Sequence, residues 1–142
     1  LLCRDWERNG LVDWCRENGI SFWAWAVLEE GMLTNPKSKS KKSVMKLIFN
    51  LKKKKLKPLY ELMESIGNQH NISIPQVAMS FCSSKGSVPI CGCRKAYQVE
   101  QLYNAVNVKL SEAEIKMLEA EADRLNVTIL GADVFRFAVR KR

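Results

Sequence analysis

A chain of 142 residues with 46% apolar and 27% charged side chains can bury the core of one domain, which excludes a disordered or collagen-like protein. Its net charge of +8, from 23 basic against 15 acidic residues, is gathered in one stretch rather than spread along the chain. No apolar run approaches the roughly 20 residues that a membrane-crossing helix needs, so no membrane partner is expected.

Leu1-Leu2 read as the last residues of a buried strand whose start lies upstream, since the chain does not open on Met. Asn9 is placed to cap a helix carrying Leu11, Val12, Trp14 and Cys15 inward, stopped by Asn18-Gly19. Ile20 to Ala26 is short, aromatic-rich and nearly continuous in apolar character, as strands buried on both faces are. Val27 to Thr34 reads as a loop with a turn at Gly31, and Asn35-Pro36 ends regular structure. Residues 37–57 hold ten lysines and no acid. Val44, Leu47, Ile48 and Leu51 lie at helical spacing within this stretch, so it is either a solvated basic loop or an amphipathic segment suited to an anionic surface. No base-reading motif accompanies it, so no nucleic acid is expected.

From Pro58 a helix carries Leu59, Leu62, Met63 and Ile66 on one face, fraying toward Gly67, with His70 solvated at its end. Ser73-Ile-Pro-Gln76 is a capping box that launches a helix burying Val77, Ala78, Phe81 and Cys82. A Gly-Ser turn leads to a very short buried strand, Val88-Pro89-Ile90. The loop Cys91-Gly92-Cys93-Arg94 then opens a helix with Val99, Leu102, Tyr103 and Val106 at i, i+3, i+4 and i+7. Ser111-Glu-Ala-Glu114 is a second capping box, followed by an apolar face of Ile115, Leu118, Ala122 and Leu125. The tail, 126–142, is basic and without pattern.

The loop at 91–94 is the chemically pointed feature. A strand end that opens a helix gathers backbone N–H groups and the positive helix terminus, so an anion is welcome there. Gly92 lets a ligand approach the backbone, and Arg94 can hold a phosphate through two parallel N–H bonds. The bland alternative is an ordinary strand-to-helix connection with a surface Arg. Five cysteines, at 3, 15, 82, 91 and 93, form no regular framework, which predicts reduced thiols and a cytoplasmic location. Cys91-x-Cys93 lacks a second ligand pair, so no metal site is assigned.

Short buried strands alternating with helices predict right-handed βαβ units and a parallel sheet. About three such strands with two bare edges suit the last part of a (β/α)₈ TIM barrel, with covering helices and a C-terminal helix, better than a complete fold.

Gly19 to Thr34 (GISFWAWAVLEEGMLT) resembles the aldo-keto reductase segment G-I-x-x-x-A-Y-S-P-L-x-x-G-x-L-T. Ser73 to Phe81 resembles that family's S-P-A-Q-V-A-L-A-W helix. Val88-Pro-Ile-Cys-Gly-Cys-Arg with Gln98-Val-Glu-Gln101 resembles its cofactor signature V-I-P-I-P-G-A-R-x-x-x-Q-x-x-E-N. Leu110-Ser-Glu-Ala-Glu-Ile resembles the opening of its last helix. The matches keep order and spacing over roughly residues 1–125.

The resemblance implies a (β/α)₈ barrel holding extended NADPH across its C-terminal face. It places Trp25 where the family's Tyr stacks on the nicotinamide, and Ala26, Val27, Leu28, Gly31 and Leu33 in the loop along the pyrophosphate. Gly92, Cys93 and Arg94 fall at the adenosine 2′-phosphate, and Gln98 and Gln101 on the helix that reaches phosphate and adenine. Ala26-Val27 replaces the family's Ser-Pro, Asn35 its Gly, and Gln101-Leu102 its Glu-Asn pair. The catalytic Asp, Tyr, Lys and His lie on earlier strands of the family, so no catalytic residue is assigned here. The function expected is therefore the C-terminal, cofactor-binding portion of an NADPH-dependent aldo-keto reductase, inactive alone, whose intact form reduces a small carbonyl substrate. Its partners would be NADP(H) and either the missing barrel half or further copies of itself. The alternative is a non-catalytic remnant whose lysine segment docks on an acidic partner or membrane surface. As domains, residues 1–142 form one partial reductase domain with a basic loop insertion at 37–57 and a tail from 126.

Overall fold

The computed structural model describes residues 1–34 and 44–127. In chain order these form α1 (Asp5–Arg8), α2 (Leu11–Glu17), β1 (Trp23–Ala24), a 3₁₀ turn (Glu29–Gly31), α3 (Val44–Lys55), α4 (Lys57–His70), α5 (Ile74–Ser84), β2 (Val88–Pro89), α6 (Ala96–Asn107) and α7 (Glu112–Leu125). Strands β1 and β2 pair in parallel, with Trp23 opposite Val88 and Ala24 opposite Pro89. The result is a helix-rich α/β arrangement around a small parallel sheet.

Among the described residues that sheet has two strands rather than the expected three. Leu1 is buried, but the backbone nitrogens of Leu1 and Leu2 turn to the Glu29 carboxyl instead of a strand ladder.

Helix α5 organises the core. Gln76 Oε1 accepts from both the Ser73 N–H, at 3.0 Å, and the Ser73 hydroxyl, at 2.7 Å, which starts the helix where the capping box predicts. Val77, Ala78 and Phe81 are then buried with Leu59, Met63 and Ile66 of α4 and Leu118 of α7. Two polar rivets join α5 to α6: Gln76 Nε2 donates to the Gln101 carbonyl at 3.0 Å, and the Ser80 hydroxyl to the Ala105 carbonyl at 2.6 Å. Both side chains are buried, so each bond replaces water that the core excludes.

Helix α4 does not fray at Gly67. It runs to His70, where Asn71 adopts a left-handed conformation (φ 55°) and the Ile72 N–H bonds back to the Gly67 carbonyl at 2.8 Å. Gly67 is required by packing, because a Cβ there would run into the Ile72 carbonyl oxygen.

Several expected faces turn outward. In α2, Val12 and Cys15 are buried, while Leu11 and Trp14 are exposed. In α6 the contact with α5 runs through Ala105, leaving Val99 and Tyr103 exposed at 55% and 70%. The strand residues Trp23, Val88 and Ile90 are exposed too, because two strands alone leave the sheet without neighbours. The lysine segment is helical from Val44 to Lys55, as the spacing of Val44, Leu47, Ile48 and Leu51 allows and a basic loop does not; its residues 37–43, and the tail beyond 127, lie outside the described residues. Lys53 is buried there, and desolvation holds its ammonium below the usual lysine pKa.

Ion pairs stitch the ends of the described chain together. The buried Arg4 guanidinium meets Glu119 at 2.9 Å and also pairs with Asp123, which Arg8 shares. Lys85 bridges Glu7, at 2.7 Å, and Glu119.

His70, expected to be solvated, instead places Nε2 2.7 Å from Glu114 Oε1 and so ties α4 to α7. Burial pushes the Glu114 carboxyl up, but hydrogen bonds from Ser111 and His70 outweigh it and hold its pKa below the usual carboxylate value. A depressed pKa contributes stability above the unfolded value, and that contribution is lost as pH falls through the folded one. Glu114→Ala is therefore expected to cost about 1 kcal/mol at pH 7, as the loss of a helix cap does. Urea denaturation repeated at about pH 3, below the unfolded carboxyl value, should bring the two proteins closer; a constant gap would remove ionisation from the account.

Candidate functional site

A cavity of about 560 Å³ opens where the 3₁₀ turn, the α4–α5 connection and the 91–94 loop converge. That volume lies within the usual range for small-ligand sites, roughly 300–1,000 Å³. Its wall gathers Leu28, Gly92, Cys93, Gln98 and Gln101, which are 73 residues apart at their extremes, together with Asn68, Pro75 and Tyr97. Five of the eleven sequence-derived site residues thus meet at one surface. Trp25, Ala26, Val27, Gly31, Leu33 and Arg94 are not on that wall.

The reasons differ residue by residue. Val27 and Leu33 are buried, at 4% and 0%, so their side chains serve the core and only their backbone can face a ligand. Trp25 is exposed at 68%. Ala26 (φ 57°) and Gly31 (φ 89°) supply the left-handed backbone that turns the chain. Among the described residues, the Val27 and Leu28 N–H groups bond to no carbonyl. Of the two, Leu28 lines the cavity, and a backbone N–H left without a carbonyl is a group that can bind an anion.

Around that turn the backbone is fixed from several sides. The Leu33 N–H donates to the Leu28 carbonyl at 3.1 Å, and the Thr34 hydroxyl to the Gly31 carbonyl at 2.6 Å. The buried Tyr60 hydroxyl donates to the Met32 carbonyl at 2.8 Å. Burial pushes the Tyr60 pKa up to about 12, so the donor keeps its proton at any physiological pH.

Gln98, also on the cavity wall, caps the opening of α6. Its Oε1 accepts the N–H groups of Arg94, at 2.7 Å, and Lys95, at 3.0 Å. These are the amides that an anion at the helix opening would otherwise meet, so what Gln98 itself offers outward is its Nε2 amide. A Cβ built on Gly92 would have nothing within 4 Å, so the loop leaves room for a ligand against its backbone. Arg94, next in sequence to the lining residue Cys93, is exposed. Burial raises the Cys91 thiol to about 11, so it lines the cavity as a neutral, nearly apolar group.

Three contributors escaped the sequence reading. The capping box explains Gln76 as a helix cap, yet its amide also holds the backbone of Gln101 at the cavity wall. Nothing local in the sequence marks Tyr60 as the partner of a carbonyl 28 residues earlier. Glu29 was an unassigned loop position, yet it is the acid buried among the described residues.

The chain belongs to the aldo/keto reductase family, whose model matches residues 1–123. It is 34% identical over 124 residues to the chloroplastic pyridoxal reductase of Arabidopsis thaliana, covering 86% of this chain and 34% of that protein. It is 27% identical over 132 residues to an aldo-keto reductase of Schizosaccharomyces pombe whose name carries NADP(+), covering 87% of this chain and 38% of the relative. The crystal structure of a thermostable aldo-keto reductase in complex with the inhibitor epalrestat superposes with a TM-score of 0.61 at 23% identity, covering 84% of this chain and 36% of that one. The chain thus spans between a third and two fifths of these proteins' lengths.

Proposed function

We propose that this chain is the C-terminal, cofactor-binding portion of an NADPH-dependent aldo-keto reductase barrel, acting in the cytoplasm on small aldehydes or ketones and inactive without the family's Asp, Tyr, Lys and His set. The carrying observation is the shared cavity, where Leu28 of the first segment meets Gly92, Cys93, Gln98 and Gln101 of the second. The residues fit the group chemically. The Val27 and Leu28 amides suit a pyrophosphate, the open backbone at Gly92 and the Arg94 guanidinium suit a 2′-phosphate, and the Gln98 and Gln101 amides suit a purine edge. Trp25 offers a flat face beside them for a nicotinamide. When bound, the reduced nicotinamide supplies hydride; this chain's own residues bind and orient.

Calorimetric titration of the chain with NADPH and NADH tests the reading. NADPH is expected to bind at least about tenfold tighter, since the 2′-phosphate adds a charge-assisted contact. Equal affinities, or no binding of either, would count against it.

Described residues include no helix long and apolar enough to cross a membrane.

A further inference from the structure

Glu29 is 6% exposed and sits in a turn whose backbone is held against its preferences. Ala26, Glu29 and Glu30 all have positive φ (57°, 51° and 54°), a conformation that a residue bearing a Cβ disfavours. Such geometry persists only where the surroundings over-determine it. Most of the restraints are local or come from Tyr60 on α4. The Glu29 carboxyl reaches the other flank, where Oε1 accepts the Leu2 N–H at 2.9 Å.

A buried acid beside an anion-binding turn would repel its ligand unless donors took up its charge. Here the Leu2 N–H is such a donor, and Glu29 is not among the residues that line the cavity. The neighbouring Glu30 stays exposed. The Leu2 N–H thus offsets part of the burial of Glu29, and among the described residues the carboxyl takes no bond from the Val27 or Leu28 amide.

We infer that Glu29 is a positioning residue, which pins the 26–31 turn to the Leu1–Leu2 segment and so presents the Val27 and Leu28 amides to the pyrophosphate of a dinucleotide. This rests on the cofactor reading above for its ligand, but not for the pin itself.

The test uses the whole chain with Glu29→Ala and Glu29→Gln. Two ligands separate the two halves of the site: adenosine 2′-monophosphate carries only the 2′-phosphate end, whereas NADPH must also lie along the turn. Glu29→Ala is expected to weaken NADPH roughly tenfold, by depopulating the competent turn, and to leave adenosine 2′-monophosphate unchanged. Glu29→Gln should recover most of the loss, since a carboxamide oxygen still accepts the Leu2 N–H. Equal loss of both ligands would overturn the inference, reducing Glu29 to a general stabiliser.

Amide hydrogen exchange gives a readout without any ligand. In Glu29→Ala the Leu2 and Leu33 amides should exchange about tenfold faster, while those of α5 keep their protection. Unchanged exchange at Leu2 and Leu33 would overturn the pin even if the wild-type chain bound no nucleotide, an outcome that sinks the cofactor reading by itself.

Discussion

Gly67→Ala is expected to lower stability by about 2 kcal/mol, against the intrinsic preference of a helix for alanine. In an exposed helix interior that exchange gains roughly 1 kcal/mol. Here the new methyl meets the Ile72 carbonyl oxygen, and beyond it the Val77 side chain at 3.5 Å. A carbonyl cannot rotate aside as a side chain would, and this one belongs to the turn that reverses the chain from α4 into α5. Overpacking at such a point costs about 1–3 kcal/mol, and the rigid partner puts this case at the upper end. The sterics win. Ile72 to Pro75 also line the cavity, so any relaxation moves a wall of the candidate site. Urea denaturation of the variant should show the midpoint falling with little change in slope. An unchanged or raised midpoint would mean that the Ile72 turn shifts freely.

Arg94→Ala is expected to cost NADPH about ten- to a hundred-fold in affinity while leaving NADH nearly unchanged. The two cofactors differ by one 2′-phosphate, which a guanidinium meets through parallel charge-assisted bonds and a free hydroxyl does not engage in that way. Because Gln98 has already taken the Arg94 and Lys95 amides, the backbone there contributes less to an anion than a bare helix opening would. More of the discrimination falls on the side chain. Arg94→Lys should restore only part, keeping the charge and losing the fork. Titration of both cofactors against the three proteins decides it; parallel losses would assign Arg94 to the loop's conformation instead of the phosphate.

What the sequence disclosed is what local chemistry controls. Ser73 with Gln76, and Ser111 with Glu114, announce their helices because both partners of each cap lie within one turn. The apolar stripe of α7 was legible for the same reason, and Leu118, Ala122 and Leu125 are buried as spaced. The stripe of α6 misled, since Val99 and Tyr103 satisfy the helical period yet face outward. Periodicity says which residues share a face, and only the position of α5, set by Gln76 and Ser80, says which face is covered.

The same divide runs through the candidate site. Its resemblance-bearing residues could be named from short motifs, but their grouping around one cavity could not. His70 with Glu114, Arg4 with Asp123 and Glu29 with Leu2 join positions 44, 119 and 27 residues apart. No local pattern encodes such pairs, because nothing within a turn of either partner marks the other until the fold brings them together.

The chain's four tryptophans, 6, 14, 23 and 25, are exposed at 45%, 53%, 64% and 68%. Its light emission therefore comes from indoles already bathed in water, with little further red shift left for unfolding to produce. Such a protein is optically quiet toward the loss of its own core. It is responsive instead to whatever covers the sheet, whether a ligand laid on Trp25 or a chain paired along Trp23.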